Sequence, residues 1–342
     1  MTRLALIYGG RSGEHDVSRR SAASIRTHLD PGAYRVTDVL IERDGGWRVD
    51  GVPVPLAEAL RAIRDQDVAF PALHGPYGED GRLQSMLEWL GVPYVGSGVF
   101  SSAAGMDKAV TKRLLAADGL RVTDGVVLQE GAALAADDRA RLGLPVFVKP
   151  ARAGSSLGVT KVGHWPDLAA ALALAARFDR KVLVEKAVPG REIDVAILQR
   201  PDGSVEAGPP LEITVTRGPF FDFDAKYDAG AAFHIPAPLD AATTRRVQER
   251  AVRAFHALDC RGLLRVDFFL PDPGGEPVVN EVNTLPGMTA ESQFPRIWRH
   301  AGVPFPALLD ILIAGARTLG DRVLDHPGSD SCPAGWARSS PS

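Results

Sequence analysis

The stretch Arg265–Gly287, RVDFFLPDPGGEPVVNEVNTLPG, decides how the chain is read. Two alternating apolar runs, Arg265–Leu270 and Pro277–Asn283, flank a turn rich in proline and glycine, which is the pattern of a β-hairpin. With the turn centred on Gly274, Asp267 falls opposite Glu281 and Arg265 opposite Asn283. Side chains alternate along a strand, so all four share one face of the ladder. Two facing carboxylates repel unless a cation lies between them. An oxygen-only set of Asp, Glu and Asn suits a hard ion such as Mg²⁺ rather than zinc. Arg265 beside them is placed to neutralise a transferring phosphoryl group or an oxyanion. On spacing alone, the same residues also suit the solvated face of an ordinary hairpin.

Composition narrows the setting. A chain of 342 residues, 45% of them hydrophobic, is long enough for two or three domains with cores of their own. A formal net charge of −3 gives no electrostatic case for nucleic acid or an anionic membrane as partner. The two cysteines, Cys260 and Cys332, are far apart, which argues against a disulfide framework or a thiolate metal site and fits a reducing compartment. The apolar run in MTRLALIYGG is too short for a signal peptide, and no run approaches the roughly 20 residues of a membrane span. The expectation is a soluble, cytoplasmic protein.

Upstream of the hairpin, residues 1–96 alternate between strand and helix. Leu4–Tyr8 is a wholly apolar strand that breaks at GGRSGEHD (Gly9–Asp16), after which Asp16 or Ser18 is placed to cap a helix. A strand at Arg35–Ile41, a Gly45-Gly46 turn, a helix near Leu56–Ile63 and a strand at Val68–Leu73 follow. The loop HGPYGEDG (His74–Gly81), a helix presenting Leu83, Met86, Leu87 and Leu90, and a short strand at Pro93–Gly96 complete the segment. This order predicts an open parallel α/β sheet. Both unusual loops follow the carboxyl ends of its strands, where such sheets bind ligands. Glu14 and His74 lie in those loops; each alone reads as a surface residue, but their equivalent placement points to a shared site.

The next segment opens with SSAAGMDKAVTKRLLAADG, read as one amphipathic helix closed by Gly119, with Lys108 and Lys112 on one face. Strands at Pro145–Lys149 and Val159–Val162 flank ARAGSSLG (Ala151–Gly158), a loop able to offer backbone N–H groups and hydroxyls to phosphate, with Lys149 adding charge. The chain has neither a Walker A loop nor a G-x-G-x-x-G fingerprint. A helix near Pro166–Phe178 and a strand at Lys181–Val188 lead to Glu192–Leu198. Glu185–Val188 reads either as a connector suited to an adenine edge or as a charged strand edge. Residues 217–236, RGPFFDFDAKYDAGAAFHIP, are too long and aperiodic for one element and read as a lid, with Lys226 and Tyr227 its working side chains. Ala241–Leu258 is a helix feeding the hairpin; helices near Pro295–Ala301 and Pro304–Leu319 follow it, and a Pro/Gly/Ser-rich tail from about 326 is expected to be disordered.

Together these pieces resemble the D-alanine–D-alanine ligases of the ATP-grasp family. The resemblance runs from Leu4 to about Leu319 on GGRSGEHDVSRRSA, ALHGPYGEDG, MDKAVTK, VFVKPARAGSSLGV, VLVEKAVPGRE, DFDAKY, LLRVDFF and NEVNTLPGMT, in the family's order. It implies an α/β and α+β, three-domain architecture with ATP held between two antiparallel-sheet domains. The domains would be an N-terminal α/β substrate domain (1–96), a central subdomain with the Gly/Ser-rich loop (97–184) and a C-terminal subdomain with lid and hairpin (185–325), before the tail (326–342). It also implies that one D-alanine is phosphorylated by ATP to an acyl phosphate, which the amine of a second D-alanine then attacks.

Carried over residue by residue, Glu14 would bind the ammonium of the first D-alanine and His74 would lie near its carboxylate. Ser155 and Tyr227 would hydrogen-bond with Glu14. Lys108, Lys149 and Lys226 would contact ATP phosphates, with Ser155 and Ser156 in the phosphate loop. Glu185, Lys186 and Val188 would hold the adenine and Glu192 the ribose. Asp267, Glu281 and Asn283 would bind two Mg²⁺ (or Mn²⁺) ions. Arg265 and the backbone N–H of Gly287 would form the oxyanion site, and Ser292 would bind the carboxylate of the second D-alanine. The family also implies a homodimer. The sequence departs from the pattern at Phe221 and Phe223, where many members carry Tyr, and at Gln293, beside the second substrate, where Leu or Met is common. An acceptor other than D-alanine (D-lactate or D-serine), a resistance copy, and a catalytically silent binding protein are the alternatives this leaves open.

Overall fold

The computed structural model describes residues 1–215, 231–271 and 275–324. Three sheets organise them. The first has the order β4-β3-β2-β1-β5, with β1 Thr2–Gly9, β2 Tyr34–Ile41, β3 Trp47–Val49, β4 Val52–Val54 and β5 Val68–Pro71. β1 pairs in parallel with β2 and β5. The expected parallel sheet is therefore the centre of a mixed one, because the chain after β2 folds back through β3 and β4 as an antiparallel extension. The strand expected at Pro93–Gly96 reduces to a single parallel bridge between Ala69 and Tyr94.

β1 shows why a continuous apolar run marks a buried parallel strand. Leu4 and Leu6 enter one core cluster, with Ile25 of helix α1 (His15–His28). Ala5 and Ile7 enter another, with Ile63 of α2 (Leu56–Arg64) and Leu83 and Leu87 of α3 (Arg82–Leu90). Both faces are covered, so alternation is invisible in the sequence. Helix α1 starts at His15 without a side-chain cap, so neither Asp16 nor Ser18 is its cap. Ser18 instead accepts from Gly9 N–H at 2.7 Å and donates to the Ala72 carbonyl at 2.7 Å, fastening the helix to the ends of two strands.

The second sheet, β13-β12-β10-β14-β15 with β11 beside β10, is antiparallel throughout. Its strands are β10 Arg191–Gln199, β11 Val205–Ala207, β12 Leu211–Val215, β13 Ala231–His234, β14 Leu263–Leu270 and β15 Val278–Asn283. The third, β6-β9-β7-β8, comprises β6 Gly125–Gln129, β7 Val146–Pro150, β8 Thr160–Val162 and β9 Lys181–Lys186. It too is antiparallel. β9 ends at Lys186, two residues short of the expected strand.

Strand alternation assigns the faces. Leu264, Val266, Phe268 and Leu270 of β14 pack with Val247, Ala251 and Phe255 of α8 (Ala241–Ala257), which leaves Arg265 and Asp267 on the opposite face. In the third sheet Val146, Val148, Val182 and Val184 pack with Leu142 of α6 (Ala136–Leu142) and Leu168 and Ala175 of α7 (Leu168–Ala176), leaving Lys149 and Glu185 on the other side. The last helices, α9 Gln293–His300 and α10 Phe305–Leu324, join the first sheet to the second through one core containing Phe70, Phe294, Trp298 and Leu309. Among the described residues no single helix is long and apolar enough to cross a membrane.

The single helix expected around Lys108 is two: α4 Val99–Met106 and α5 Lys108–Ala117. The break is at Asp107, whose extended backbone (ψ 96°) lets its carboxylate accept from the N–H groups of Ala109 and Val110. Asp107 also pairs with Lys181, so the cap that starts α5 is tied to the third sheet. Gly119, at φ +78°, closes α5 as expected, with Leu120 N–H reaching the Leu115 carbonyl. Of the lid candidate, residues 217–236, the part from 217 to 230 with Phe221, Phe223, Lys226 and Tyr227 lies outside the described residues, as does the tail 326–342, whereas Ala231–His234 is not loop but β13, paired with β12.

Removing the cap tests the break. Asp107→Ala is expected to lower unfolding stability by about 1–2 kcal/mol in urea titrations, and Asp107→Asn by less. Equal midpoints for Asp107→Ala and wild type would show that the cap does not sustain the break.

Candidate active site

Two connected clefts lie where the sheets meet. The smaller, about 300 Å³, is lined by Glu14, His74, Asn283, Gly287, Ser292 and the elements around them. The larger, about 830 Å³, runs between the second and third sheets past Lys149, Ser156, Glu185, Lys186, Val188, Glu192 and Asp267. Lys108, Ser155, Arg265, Glu281 and Gln293 line both and mark the junction. Every sequence-predicted site residue among the described ones lines one cleft or the other; Lys226 and Tyr227 are not among the described residues.

The hairpin supplies the floor. Arg265 pairs with Asn283 and Asp267 with Glu281 in the register read from the turn. Beyond Asp267 the register shifts, so that Phe268 faces Val279 and Asn280 is the extra residue of a bulge. Arg265 donates from Nε and Nη2 to the two oxygens of Asp267, each at 2.7 Å, and lies 3.4 Å from Asp194 of β10. Burial disfavours the guanidinium's charge, but Asp267 and Asp194 outweigh it and hold its pKa above the ordinary value. Asn283 Nδ2 donates to Asp267 at 3.2 Å, and Lys108 lies 3.2 Å from Glu281. Among the described residues no three His, Cys, Asp or Glu side chains form a metal cage. An ion here would need the amide oxygen of Asn283 beside the two carboxylates. That oxygen-only donor set fits magnesium, since both carboxylates already attract cationic side chains.

The roof is the loop between β7 and β8. Ser155 and Ser156 adopt left-handed backbone, φ 50° and 56°, a conformation that non-glycine residues hold only against strain. It brings the Ser155 hydroxyl onto the Glu14 carboxylate. Glycine makes the approach possible, because a Cβ on Gly154 would come within 2.5 Å of Glu14 Oε2 and one on Gly75 within 2.4 Å. Lys108 Nζ donates to the Ala153 carbonyl at 2.8 Å, fixing the same loop from below.

Behind the larger cleft, Glu185 is buried between two lysines. Lys149 lies 2.7 Å from its Oε2, and Lys112 bonds its Oε1 and the Thr123 hydroxyl. Lys149 also donates to Asn280 Oδ1 at 3.1 Å. Burial pushes Lys112 down to about 7, because Glu185 compensates it only in part and Lys149 repels it. Lys149 is buried too, yet Glu185 and Glu281 hold it above its ordinary value. The Glu185 carboxylate, expected at the adenine, is thus engaged by these lysines.

His74 is buried and neutral in character. The Leu285 carbonyl can only accept, so Nδ1 (3.1 Å away) carries the proton, and Nε2 accepts from Ser21 at 2.9 Å. Burial lowers its pKa against the opposing pull of Glu14. The Leu285 N–H in turn donates to Glu79 at 3.2 Å, and Gly75 N–H donates to the same carboxylate at 2.6 Å. Burial, reinforced by Glu14, raises Glu79 from 4.5 to about 8. Ser292 bonds Thr289 Oγ1 at 2.7 Å, and a Cβ on Gly287 would lie 2.9 Å from the Ser292 hydroxyl. Glu79, Asp194, Ser21 and Asn280 escaped the sequence reading. Asp194 was findable as the one charge inside the apolar run of β10; the bulge that exposes Asn280 left no signal.

Three sheets converging on a lysine-rich cleft with an oxygen-only floor define the ATP-grasp class. Family models described as D-ala D-ala ligase C-terminus and D-ala D-ala ligase N-terminus match residues 114–314 and residues 3–58 and 49–97. A D-alanine–D-alanine ligase of Nocardia farcinica is 47% identical over 93% of this chain and 98% of its own length. One of Mycobacterium sp. (strain JLS) is 46% identical over 93% and 97%. Among solved structures, the VanG D-Ala:D-Ser ligase of Enterococcus faecalis superposes with a TM-score of 0.83 at 34% identity, covering 92% of this chain and 99% of that one. The D-alanine–D-alanine ligase of Bacillus anthracis complexed with ATP does so at 0.80 and 30%, covering 94% and 100%. The chain belongs to the D-alanine–D-alanine ligase family.

Glu79 makes stability pH-dependent. Its folded pKa is raised, so the folded state keeps a proton that the unfolded chain releases above about 4.5; stability falls as pH rises toward about 8 and levels beyond. Glu79→Gln is expected to flatten that decline in urea midpoints taken across the interval. Equal slopes in variant and wild type would remove Glu79 as the source.

Proposed function

We propose that the protein joins two D-alanine molecules into D-alanyl-D-alanine, converting ATP to ADP and phosphate, for peptidoglycan precursor synthesis. The observation that carries this reading is the junction of the two clefts. A small site walled by Glu14, His74 and Ser292 opens onto a larger, lysine-lined one at Arg265 and Glu281. That is the layout needed to pass a phosphoryl group from a nucleotide to a small carboxylate.

A carboxylate is a poor acyl donor because its oxygen is a poor leaving group. In the first step a carboxylate oxygen of one D-alanine attacks the γ-phosphorus, and the bond from that phosphorus to ADP breaks. In the second, the deprotonated amine of the other D-alanine attacks the acyl carbon, and the C–O bond to phosphate breaks. Glu14 would anchor the first ammonium, with Ser155 and Tyr227 orienting Glu14. Neutral His74 would face the carboxylate without trapping it as an ion pair. Lys108, Lys149 and Lys226 would neutralise phosphate charge, Ser156 would line their loop, Glu185, Lys186 and Val188 would border the adenine, and Glu192 the ribose. Arg265 and Gly287 N–H would hold the tetrahedral oxyanion, and Ser292 the second carboxylate. Asp267, Glu281 and Asn283 would hold two Mg²⁺ (or Mn²⁺) ions, which would supply charge neutralisation at the phosphates.

One observation favours a second reading of the acceptor. Among the described residues the buried Gln293 Nε2 has no hydrogen-bond partner, and its residue lines both clefts, so a hydroxyl-bearing acceptor such as D-serine would satisfy it. We further infer a cytoplasmic protein and a homodimer through the N-terminal segment, where Trp89 is 89% exposed. Light scattering at the mass of one 36.5 kDa chain would rule the dimer out.

The activity is tested with Mg-ATP and D-alanine, alone and with D-serine or D-lactate, by phosphate release and product mass. D-alanine-dependent release is expected, with Glu281→Gln lowering turnover by about 100-fold or more while the fold is kept. Absence of D-alanine-dependent phosphate would overturn the reading; D-alanyl-D-serine or D-alanyl-D-lactate as the sole product would move the acceptor assignment to Gln293.

A further inference from the structure

We infer that Lys112 is a positioning residue: it is the standing counter-ion of Glu185, and by holding that carboxylate it releases Lys149 to turn toward the nucleotide's phosphates. The inference rests on the nucleotide reading of the larger cleft. It goes beyond that reading by giving a role to a lysine that cannot touch the ligand.

The geometry separates the two lysines. Glu185, Lys149 and Thr123 line the larger cleft, whereas Lys112 lines neither. Lys112 reaches Glu185 from α5 and is only 7% exposed. Lys149 arrives from β7 on the cleft face of the third sheet. Each lysine takes a different oxygen of Glu185. Lys112 is fixed by a third group, the Thr123 hydroxyl, and Lys149 by Asn280 on the hairpin bulge.

Two cations on one buried carboxylate exceed what neutralisation requires. A triphosphate entering the cleft attracts the lysine on its own side. Were Lys149 the sole partner, its departure would strand a buried carboxylate, a strongly unfavourable state. With Lys112 in place, Glu185 stays paired and Lys149 moves at little cost. Lys112 stays on the Glu185 carboxylate whichever way Lys149 points.

The test compares Lys112→Met, Lys112→Arg and the double variant Lys112→Met/Glu185→Gln with wild type. Calorimetric titration with Mg-ADP is the binding readout, circular dichroism reports folding, and KM for D-alanine is the control. Wild-type protein that fails to bind Mg-ADP would overturn the nucleotide reading itself. With wild-type binding intact, Lys112→Met is expected to weaken Mg-ADP by about tenfold or more, with KM for D-alanine within about twofold. Lys112→Arg should stay within about threefold of wild type. The double variant should bind more tightly than Lys112→Met, because Lys149 is no longer held by an unanswered carboxylate. Unchanged Mg-ADP affinity in Lys112→Met, an equal rise in KM for D-alanine, or a double variant no better than the single one would each overturn the inference. Should Lys112→Met fail to fold, the double variant is expected to fold and bind Mg-ADP; a double variant that also fails would count against the counter-ion role.

Discussion

Charge buried at a junction must be answered by opposite charge, and this molecule is arranged around that requirement. Around the clefts between its sheets Arg265 is set with Asp267 and Asp194, and Glu185 with Lys149 and, away from the cleft lining, Lys112. Each set draws its members from different elements: Arg265 and Asp267 from β14 against Asp194 from β10, and Glu185 from β9 against lysines of α5 and β7. A buried ion without its partner is far more costly than the pair. The strands of each sheet, and α5 against the third, therefore have to assemble for these charges to meet their partners.

Backbone groups extend the same logic across the first and second sheets. The peptide of Leu285, just past β15, gives its N–H to Glu79 and its carbonyl to His74. Further along, Met288 and Ala290 N–H donate to Ser21 and Ser24 of α1. An irregular segment that leaves a hairpin has no ladder to satisfy its polar groups, so side chains of the first sheet's loops and helix do so. The consequence is functional: the segment from Thr284 to Ser292, which walls the smaller cleft, is positioned by the domain that carries Glu14. Glu14 is itself set between Gly75 and Gly154, joining the first and third sheets where a larger residue would hold them apart.

This assembly suits a ligase that needs its reactants dry and oriented. A carboxylate, a nucleotide and an amine have to meet at one point, and Arg265, Glu281 and Lys108 stand at the junction where the two clefts open into each other. Charges that are already paired when the site is empty need only exchange partners as anions enter. Binding then trades one set of ion pairs for another instead of desolvating bare charge, which is how a preorganised site keeps its reorganisation small.

Local sequence determined much of this. Alternation placed Arg265, Asp267, Glu281 and Asn283 on one face and set their register, because a strand's two-residue period is a property of the backbone alone. Apolar runs and glycine loops marked the strands of the first sheet and the Ala151–Gly158 loop for the same local reason. What the chain's own pattern could not carry was decided by tertiary contact. The break at Asp107 depends on a cap tied to Lys181 of another sheet, and the bulge at Asn280 on the pairing of β14 with β15. Glu79 and Asp194 owe their importance to burial, and Lys112 to the carboxylate that it meets. Charge state and partnership depend on which distant groups share a volume from which water is excluded. A sequence names the groups, and only the folded packing brings them into that volume.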